Sequence, residues 1–585
     1  MPPFQRTSNA GSSSTASQPT RRGWAAWQVV ALVASWLTVA GNLPLWQQLW
    51  ALPEVSGVRG LAFVAGFGVL VWGVLTALLS LLAWPGVLKP VAVVSLFSAA
   101  SASHFMQAYS AVIDPTMMLN VLHTDAREVK DLLSVGFVWT LLWQAALPAW
   151  WLWRQPIDWN RPLALHPANA RKTTGQTARG KLSIGRLVGR NLGVSVLAVV
   201  LAFGAVLAVF QDFASVMRNH KQVRYLINPL NSFYALGRIA ASSAPHASKP
   251  LLPIGEDAHL GSTYTGQTKP LLLVLVVGET ARAANFPLNG YARDTTPHLQ
   301  ALHKAGELVW LNSVWSCGTN TQASVPCMFS HLGKTGHEAS DDRHENLLDV
   351  LQRAGLAVTW LDNQSGCKGV CDRIPSIDTR ETTDPALCQG GECLDGILVK
   401  RLPAQLASLN TQARQKGTVV VFHQMGSHGP AYFKRSPDSH KPFQPECAKN
   451  ALQQCSREEV VNAYDNSLRY TDQMLADTIA WLKQQDAATG LVYVSDHGES
   501  LGENNLYLHG LPYALAPDTQ KRVPWANWLS PALRERLKLD PTCLTTLGQE
   551  TWSHDNLFHT MLGLADVQTT VHKAHSDIFS RCRKP

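Results

Sequence analysis

Apolar residues in the first third of the chain come in runs far too long for a buried strand. Five of them, roughly 24–44, 60–84, 90–110, 134–153 and 191–211, are each long enough to cross about 30 Å of hydrocarbon as a helix. The first is too long for a cleaved signal peptide and lacks a clear small-x-small site. The third carries the serine-rich stretch "SLFSAASASHF". Past residue 270 the pattern changes in kind. "LLLVLVV" (271–277), "LAVTWL" (356–361), "TVVVF" (418–422) and "LVYVS" (491–495) are short apolar runs separated by helix-like stretches such as Ala463 to Gln484. Such alternation predicts a parallel layered sheet with its site at the carboxyl ends of the strands. The expected architecture is an α-helical transmembrane domain of five spans (21–211) followed by an α/β domain (271–585). Between them, 212–270 reads as an amphipathic interfacial helix and a linker. Residues 1–20, polar and rich in Ser, Thr and Pro, read as a disordered tail.

Cysteine and charge then assign the two regions to two compartments. All ten cysteines fall between Cys317 and Cys582, as expected if only the second region meets an oxidising environment. Arg21 and Arg22 precede the first span, Lys89 follows the second, and eight basic residues lie from Arg154 to Arg190 (Arg154, Arg161, Arg171, Lys172, Arg179, Lys181, Arg186, Arg190). With five spans all three places share one side, which the positive-inside rule makes the cytoplasm, so the α/β domain is expected outside. The formal net charge of +8 is thereby explained without nucleic acid, for which no motif is present.

The chemistry sits just after the predicted strands. Glu279 follows the first, His423 and His428 follow "TVVVF", and Asp496, His497 and His509 follow "LVYVS". Glu279, Asp496 and His497 make an O, O, N donor set that suits Zn²⁺ and leaves one tetrahedral position open. In "WSCGTNTQASVPCMFSHLG" (315–333), Cys317 and Cys327 bracket Thr321, whose hydroxyl would take that position. A threonine hydroxyl needs a base or a metal to act as a nucleophile, and the N-terminus of a helix starting there would favour an anionic oxygen. A lone threonine or Asp-His pair is more often structural; their joint placement at strand ends is what points to a site. By closeness the cysteines pair as Cys317–Cys327, Cys367–Cys371, Cys388–Cys393 and Cys447–Cys455, leaving Cys543 with Cys582, although ten cysteines permit many connectivities.

"GETAR", "NGYARDTTPHL", "CGTNTQASVPCMFS", "GSHGP" and "SDHGESLGENNLYLHG" together resemble the phosphoethanolamine transferases that modify lipid A, including the mobile colistin-resistance enzymes, within the alkaline phosphatase and sulfatase superfamily. The resemblance spans nearly the whole chain after the tail. It implies Glu279, Thr321, Asp496 and His497 as zinc ligands, with Thr321 also the nucleophile, and leaves room for a second zinc ion. His428, His509 and Lys368 match positions around the transferred phosphate, and Ser365 matches a further substrate contact. Between the third and fourth spans, Asn120, Thr124 and Glu128 recur every fourth residue and so would share a helix face; they align with the family's lipid-facing positions. The resemblance further implies a monomeric inner-membrane enzyme working in the periplasm, with phosphatidylethanolamine as donor and lipid A as acceptor. Rival readings are transfer to a core sugar (heptose or Kdo), transfer of phosphoglycerol, or a catalytically silent lipid-binding sensor. A transporter is disfavoured because the spans lack a buried charge pair.

Overall fold

The computed structural model describes residues 23–53, 55–124, 129–130, 132–161, 183–247 and 249–584. The expected tail, Glu128 and the basic residues Arg21, Arg22, Arg171, Lys172, Arg179 and Lys181 lie outside them. The chain divides into two compact units: Met1–Gly41, Leu52–Phe97 and Leu142–Ala214 form one, and Asn42–Ala51, Ser98–Leu141 and Ser215–Pro585 form the other.

Among the described residues, four helices are long and apolar enough to cross a membrane: α3 (Gly57–Leu81), α4 (Leu88–Tyr109), α6 (Val135–Arg154) and α7 (Ile184–Ala208). The first expected span, 24–44, is instead a pair of helices, α1 (Ala26–Val39) and α2 (Leu43–Trp50), bent by 49° at their junction. Counting that pair as one gives the five expected crossings. The break falls at "GNLP", where Asn42 precedes α2 and Pro44 stands in its first turn, a position proline tolerates because the first helical N–H groups have no partner inside the helix. Inside α6 the helix widens into a π turn at Leu142–Ala146. Pro148 has no N–H to give the Gln144 carbonyl four residues back; Trp36 Nε1 donates to that carbonyl instead, at 2.9 Å. Helices α3 and α7 approach closely because Gly73 has no Cβ to strike Ala198 and Ala202, and Asn191 and Ser195 donate across to the Ala83 and Ala77 carbonyls. The expected interfacial segment contains α8 (Phe210–Asn219) and α9 (Leu230–Ala247). A short helix, α5 (Pro115–His123), follows α4, its first turn capped by Asp114, which accepts from the Met117 N–H at 2.8 Å.

The second unit is built on a seven-stranded sheet. Its strands are β1 (Leu271–Gly278), β2 (Leu308–Leu311), β3 (Ala357–Asp362), β4 (Ser376–Asp378), β5 (Gly417–His423), β6 (Ala488–Ser495) and β7 (Trp525–Leu529). Their order is β4-β3-β5-β1-β6-β7-β2; β7 pairs antiparallel with both neighbours and the other pairs are parallel. Successive side chains of β1 alternate between two cores: Leu273, Leu275 and Val277 enter one, Leu272, Val274 and Val276 the other. That is why the strand reads as an unbroken apolar run. Helix α10 (Thr321–Met328) carries the stapled loop's residues, and the long α11 (Arg457–Lys483) covers one face of the sheet with Val460, Tyr464, Leu468 and Leu475. A reciprocal cap between Ser456 and Glu459 starts α11 six residues before the expected Ala463. Disulfide bonds join Cys317–Cys327, Cys367–Cys371, Cys388–Cys393, Cys447–Cys455 and Cys543–Cys582.

Candidate active site

Register brings the chemistry together. Adjacent β1 and β6 are in parallel register with Ser495 opposite Gly278, so Glu279 and the pair Asp496-His497 leave the sheet side by side. Gly278 is required there: a Cβ would lie 2.6 Å from the Tyr493 ring. On the other side, Gly426 in the loop after β5 has φ +51, and a Cβ on it would sit 2.6 Å from the Glu279 carbonyl.

Thr321 is the first residue of α10, after Asn320, whose side chain accepts from the Ala323 N–H at 2.9 Å. Its Oγ1 lies 3.1 Å from Glu279 Oε2 and 3.5 Å from His497 Nε2. His497 Nε2 is in turn 3.3 Å from Asp496 Oδ2 and 3.5 Å from Glu279 Oε1. Nδ1 of the same ring stands 2.9 Å from the Gly498 carbonyl, which can only accept, so Nδ1 carries a hydrogen and Nε2 is turned to the cluster. All four residues are buried.

This arrangement suits a cation. Asp496 Oδ1 accepts from the Thr280 and His497 N–H groups, whereas Oδ2 is buried without a hydrogen-bond partner. Its close polar neighbour is His497 Nε2 at 3.3 Å, and two buried carboxylates around a single imidazole are costly unless more positive charge joins them. Burial and the neighbouring Glu279 push Asp496 up to about 6. Burial alone would raise Glu279 too, but its hydrogen bond to His497 and the charges of His497, His428 and His509 hold it below the ordinary carboxylate range. Burial opposes charge on His497, yet Asp496 and Glu279 overcome it and push the ring up to about 10. Two buried carboxylates thus share one imidazole, and the balance of charge where the donor atoms converge is negative near neutral pH.

His509 joins this group: ligand atoms of Glu279, His497 and His509 lie within 4.8 Å of one another, and the His497 and His509 rings are 4.2 Å apart, centre to centre. The His428 ring is 5.9 Å from that of His509. Lys368, with φ +52, turns its Nζ onto the Ser365 hydroxyl at 2.8 Å and the Ser365 carbonyl, so these two share the loop clipped by Cys367–Cys371. Their hydrogen-bond partners are each other and Gln364 rather than the Thr321 cluster. His423 pairs with Asp362 at 3.0 Å across neighbouring strands. Helix α5 packs against α10. It ends at His123, so Thr124 is extended (φ −66, ψ 129), and the expected helical face running through Asn120, Thr124 and Glu128 stops short. Thr124 Oγ1 instead donates back to the Asn120 carbonyl at 2.8 Å, and Glu128 lies outside the described residues.

Several supporting residues gave no sign in the sequence. Thr280, a β-branched residue at φ +60, donates from Oγ1 to Glu279 at 2.6 Å and from its N–H to Asp496. Asp395 accepts from the Met425 and Gly426 N–H groups, each at 2.8 Å, and so fixes the loop behind Glu279. Buried His554 accepts at Nδ1 from the Cys317 N–H (3.0 Å) and donates from Nε2 to the Ser495 carbonyl (2.9 Å), tying the stapled loop to the strand that delivers Asp496. Glu499 holds His509, and "DHGES" offered its only signal: a carboxylate two residues past His497.

A buried carboxylate–imidazole cluster at the strand ends of a mostly parallel sheet, with a hydroxyl on a helix N-terminus beside it, defines an enzyme of the sulfatase and alkaline phosphatase type. Residues 272–567 match the family described as Sulfatase, and residues 71–173 and 178–244 match the family described as Phosphoethanolamine transferase EptA/EptB. The chain belongs to the phosphoethanolamine transferase family. It is 38% identical over 574 residues to Phosphoethanolamine transferase EptA of Escherichia coli K12, covering 96% of this chain and 97% of that one. It is 35% identical over 560 residues to the Escherichia coli Phosphatidylethanolamine transferase Mcr-1, covering 94% and 96%. In structure it is similar to the integral membrane lipooligosaccharide phosphoethanolamine transferase A of Neisseria meningitidis, with a TM-score of 0.87, 32% identity, and 96% and 100% of the two chains covered.

Proposed function

We propose that the protein transfers phosphoethanolamine from phosphatidylethanolamine to a phosphate of lipid A through a covalent intermediate on Thr321, in a zinc-dependent domain on the periplasmic side of a bacterial inner membrane. The supporting observation is the approach of Thr321 Oγ1 to Glu279 at 3.1 Å and His497 at 3.5 Å, with Asp496 Oδ2 on the same His497 nitrogen at 3.3 Å. The relatives' names, one a phosphatidylethanolamine transferase and one acting on lipooligosaccharide, support the donor and the acceptor class.

Glu279, Asp496, His497 and the Thr321 oxygen would hold the zinc ion, and a second would lie toward His428 and His509. When bound, zinc supplies positive charge that eases loss of the hydroxyl proton and offsets charge on the phosphoryl oxygens. Thr321 Oγ attacks phosphorus as its proton leaves; the P–Oγ bond forms and the bond from phosphorus to the diacylglycerol oxygen breaks. His428 or His509 protonates that leaving oxygen, and Lys368 counters the phosphate's remaining charge from the loop it shares with Ser365. A phosphate oxygen of lipid A then attacks the same phosphorus, the P–Oγ bond breaks, and Thr321 recovers a proton. Asn120 and Thr124 offer polar contacts to the lipid head group, and Glu128 a carboxylate for its ammonium. The added ammonium lowers the negative charge of the outer surface, so cationic polymyxins bind less well.

Incubation of the purified full chain with phosphatidylethanolamine, followed by intact mass spectrometry, tests this directly. The expected result is a phosphoethanolamine adduct on the wild type and none on Thr321→Ala; an adduct that persists in the variant sinks the nucleophile. Mass spectra of lipid A and core sugars from expressing cells decide the acceptor.

A further inference from the structure

The loop that carries His509 is held in an unfavourable backbone. Asn504, Asn505 and Leu508 have φ of 51°, 59° and 61°, and Gly510 has φ 89°. Asparagine tolerates that region and leucine rarely adopts it, so the turn at Leu508 persists only where its surroundings over-determine it. Two neighbours do so. From the stapled loop, Thr319 Oγ1 donates to the Leu511 carbonyl at 2.6 Å. From the connector between α4 and α5, Ser110 Oγ donates to the Asn505 carbonyl at 2.8 Å, and Val112 packs with Leu511 and Ala516 in a small apolar cluster. Met117, in the first turn of α5, fills the space over Gly510: a Cβ there would lie 2.2 Å from the Met117 methyl carbon. Asn231 anchors the connector by donating to the Ile113 and Tyr225 carbonyls.

We propose that the segment from Ser110 to Met117 is a clamp that positions His509, with Met117 acting on it through Gly510. The inference deepens the transfer reading above, because it takes His509 to work on the transferred phosphate. Met117 and Asn120 stand three residues apart and share a face of α5. A lipid head group at Asn120 would lie beside the side chain that presses on the His509 loop. Methionine suits such a role, since its unbranched thioether fills an irregular gap. Displacing a reacting group by about an ångström can cost up to a hundredfold in rate.

The test is a double-mutant cycle on the full chain, read as the rate of adduct formation from phosphatidylethanolamine. Met117→Ala is expected to slow the wild type about tenfold with little change in donor KM, and to leave a His509→Asn background unchanged within about twofold. Met117→Leu should restore most of the rate. Equal losses in both backgrounds would place Met117 in lipid binding or general folding and overturn the clamp. A second readout does not depend on the substrate. In histidine-labelled full chain, the His509 ring resonance, assigned by its absence in His509→Asn, should shift in Met117→Ala while the melting temperature holds. An unmoved resonance overturns the proposal. A wild type that forms no adduct counts against the transfer reading, and the ring signal still decides the clamp.

Discussion

The Glu499 carboxylate lies 3.2 Å from Nδ1 of His509, and both side chains are shielded from solvent, Glu499 completely. A buried imidazole held at one nitrogen presents the other in a fixed direction, and here the ring faces His497. Glu499→Gln keeps the shape but weakens the hold. The expected outcome is a fall in turnover of about 10–100-fold, with the bound metal retained. Metal content by elemental analysis, alongside the rate of adduct formation, checks it. A variant as active as the wild type would mean that His509 is oriented by something else.

His554 makes the second prediction, this time for pH. Its ring bridges the Cys317 N–H and the Ser495 carbonyl as a neutral imidazole. Burial is the main reason its pKa is pulled down to about 3; the Ser495 hydrogen bond opposes this, and the positive charge of His497 adds to it. A histidine whose folded pKa is depressed stabilises the fold above its unfolded value, near 6.5, and loses that contribution as pH falls toward the folded one. The wild type should therefore lose up to about 1.4 kcal/mol per pH unit from this group alone on going from pH 6.5 to 4. Other buried histidines, such as His559, add to the total, so the informative quantity is a difference. Denaturant unfolding of His554→Gln and wild type across that range should show the variant less stable at pH 7 and its slope smaller by one proton. Parallel slopes would refute the assignment.

How far the sequence could be read follows from where each signal originates. Strands β1, β3, β5 and β6 were legible because burial on both faces demands an unbroken apolar run, and Glu279, Asp496 and His497 were legible because they directly follow such runs. Strand β2 has only four residues, and β7 interrupts its apolar run with Asn527, whose Oδ1 accepts from Trp525 Nε1. Neither stands out locally, although each completes the sheet. The break between α1 and α2 falls at "GNLP", inside an apolar window whose hydropathy alone reads as one span. His554 and Thr280 had no local signal at all: His554 meets Cys317 across 237 residues, and Thr280 acts through a backbone conformation that a β-branched residue rarely adopts.

The bond between Cys317 and Cys327 closes a loop of 10 residues around Thr319, Thr321 and Ser324. Inside it, Gly318 N–H donates to Ser324 Oγ at 2.9 Å, and the Lys334 ammonium donates to the Cys317 carbonyl. Chain-entropy arguments give such a loop about 2–3 kcal/mol of stabilisation. Replacing both cysteines by serine should lower unfolding free energy by about that amount. It should also slow adduct formation on Thr321 more than an equal destabilisation elsewhere does. Cys543→Ser with Cys582→Ser is the control, since that bridge joins α/β-domain segments outside the loop around Thr321. If the two double variants behave alike in rate, the staple only stabilises.

The Asp496 site should trade stability for cation binding, and Asp496→Asn separates the two. With Glu279 beside it, a fully buried Asp496 is an anion in a place that disfavours it, and burial is the first cause of its raised pKa. Without a cation, an amide of the same shape removes the like-charge repulsion with Glu279 at the cost of one attraction to His497. Because the carboxyl is pushed up to about 6, the repulsion and burial outweigh that attraction. The metal-stripped variant should therefore be more stable than the metal-stripped wild type, by about 1–3 kcal/mol near pH 7. With zinc added the order should reverse, because only the wild type can use both carboxylates as ligands and gain the linkage stabilisation that tight binding brings. Thermal unfolding of both proteins, chelated and zinc-loaded, measures all four corners. A stripped variant that melts below the stripped wild type would show that Asp496 stabilises the fold on its own and is not held in place for a cation.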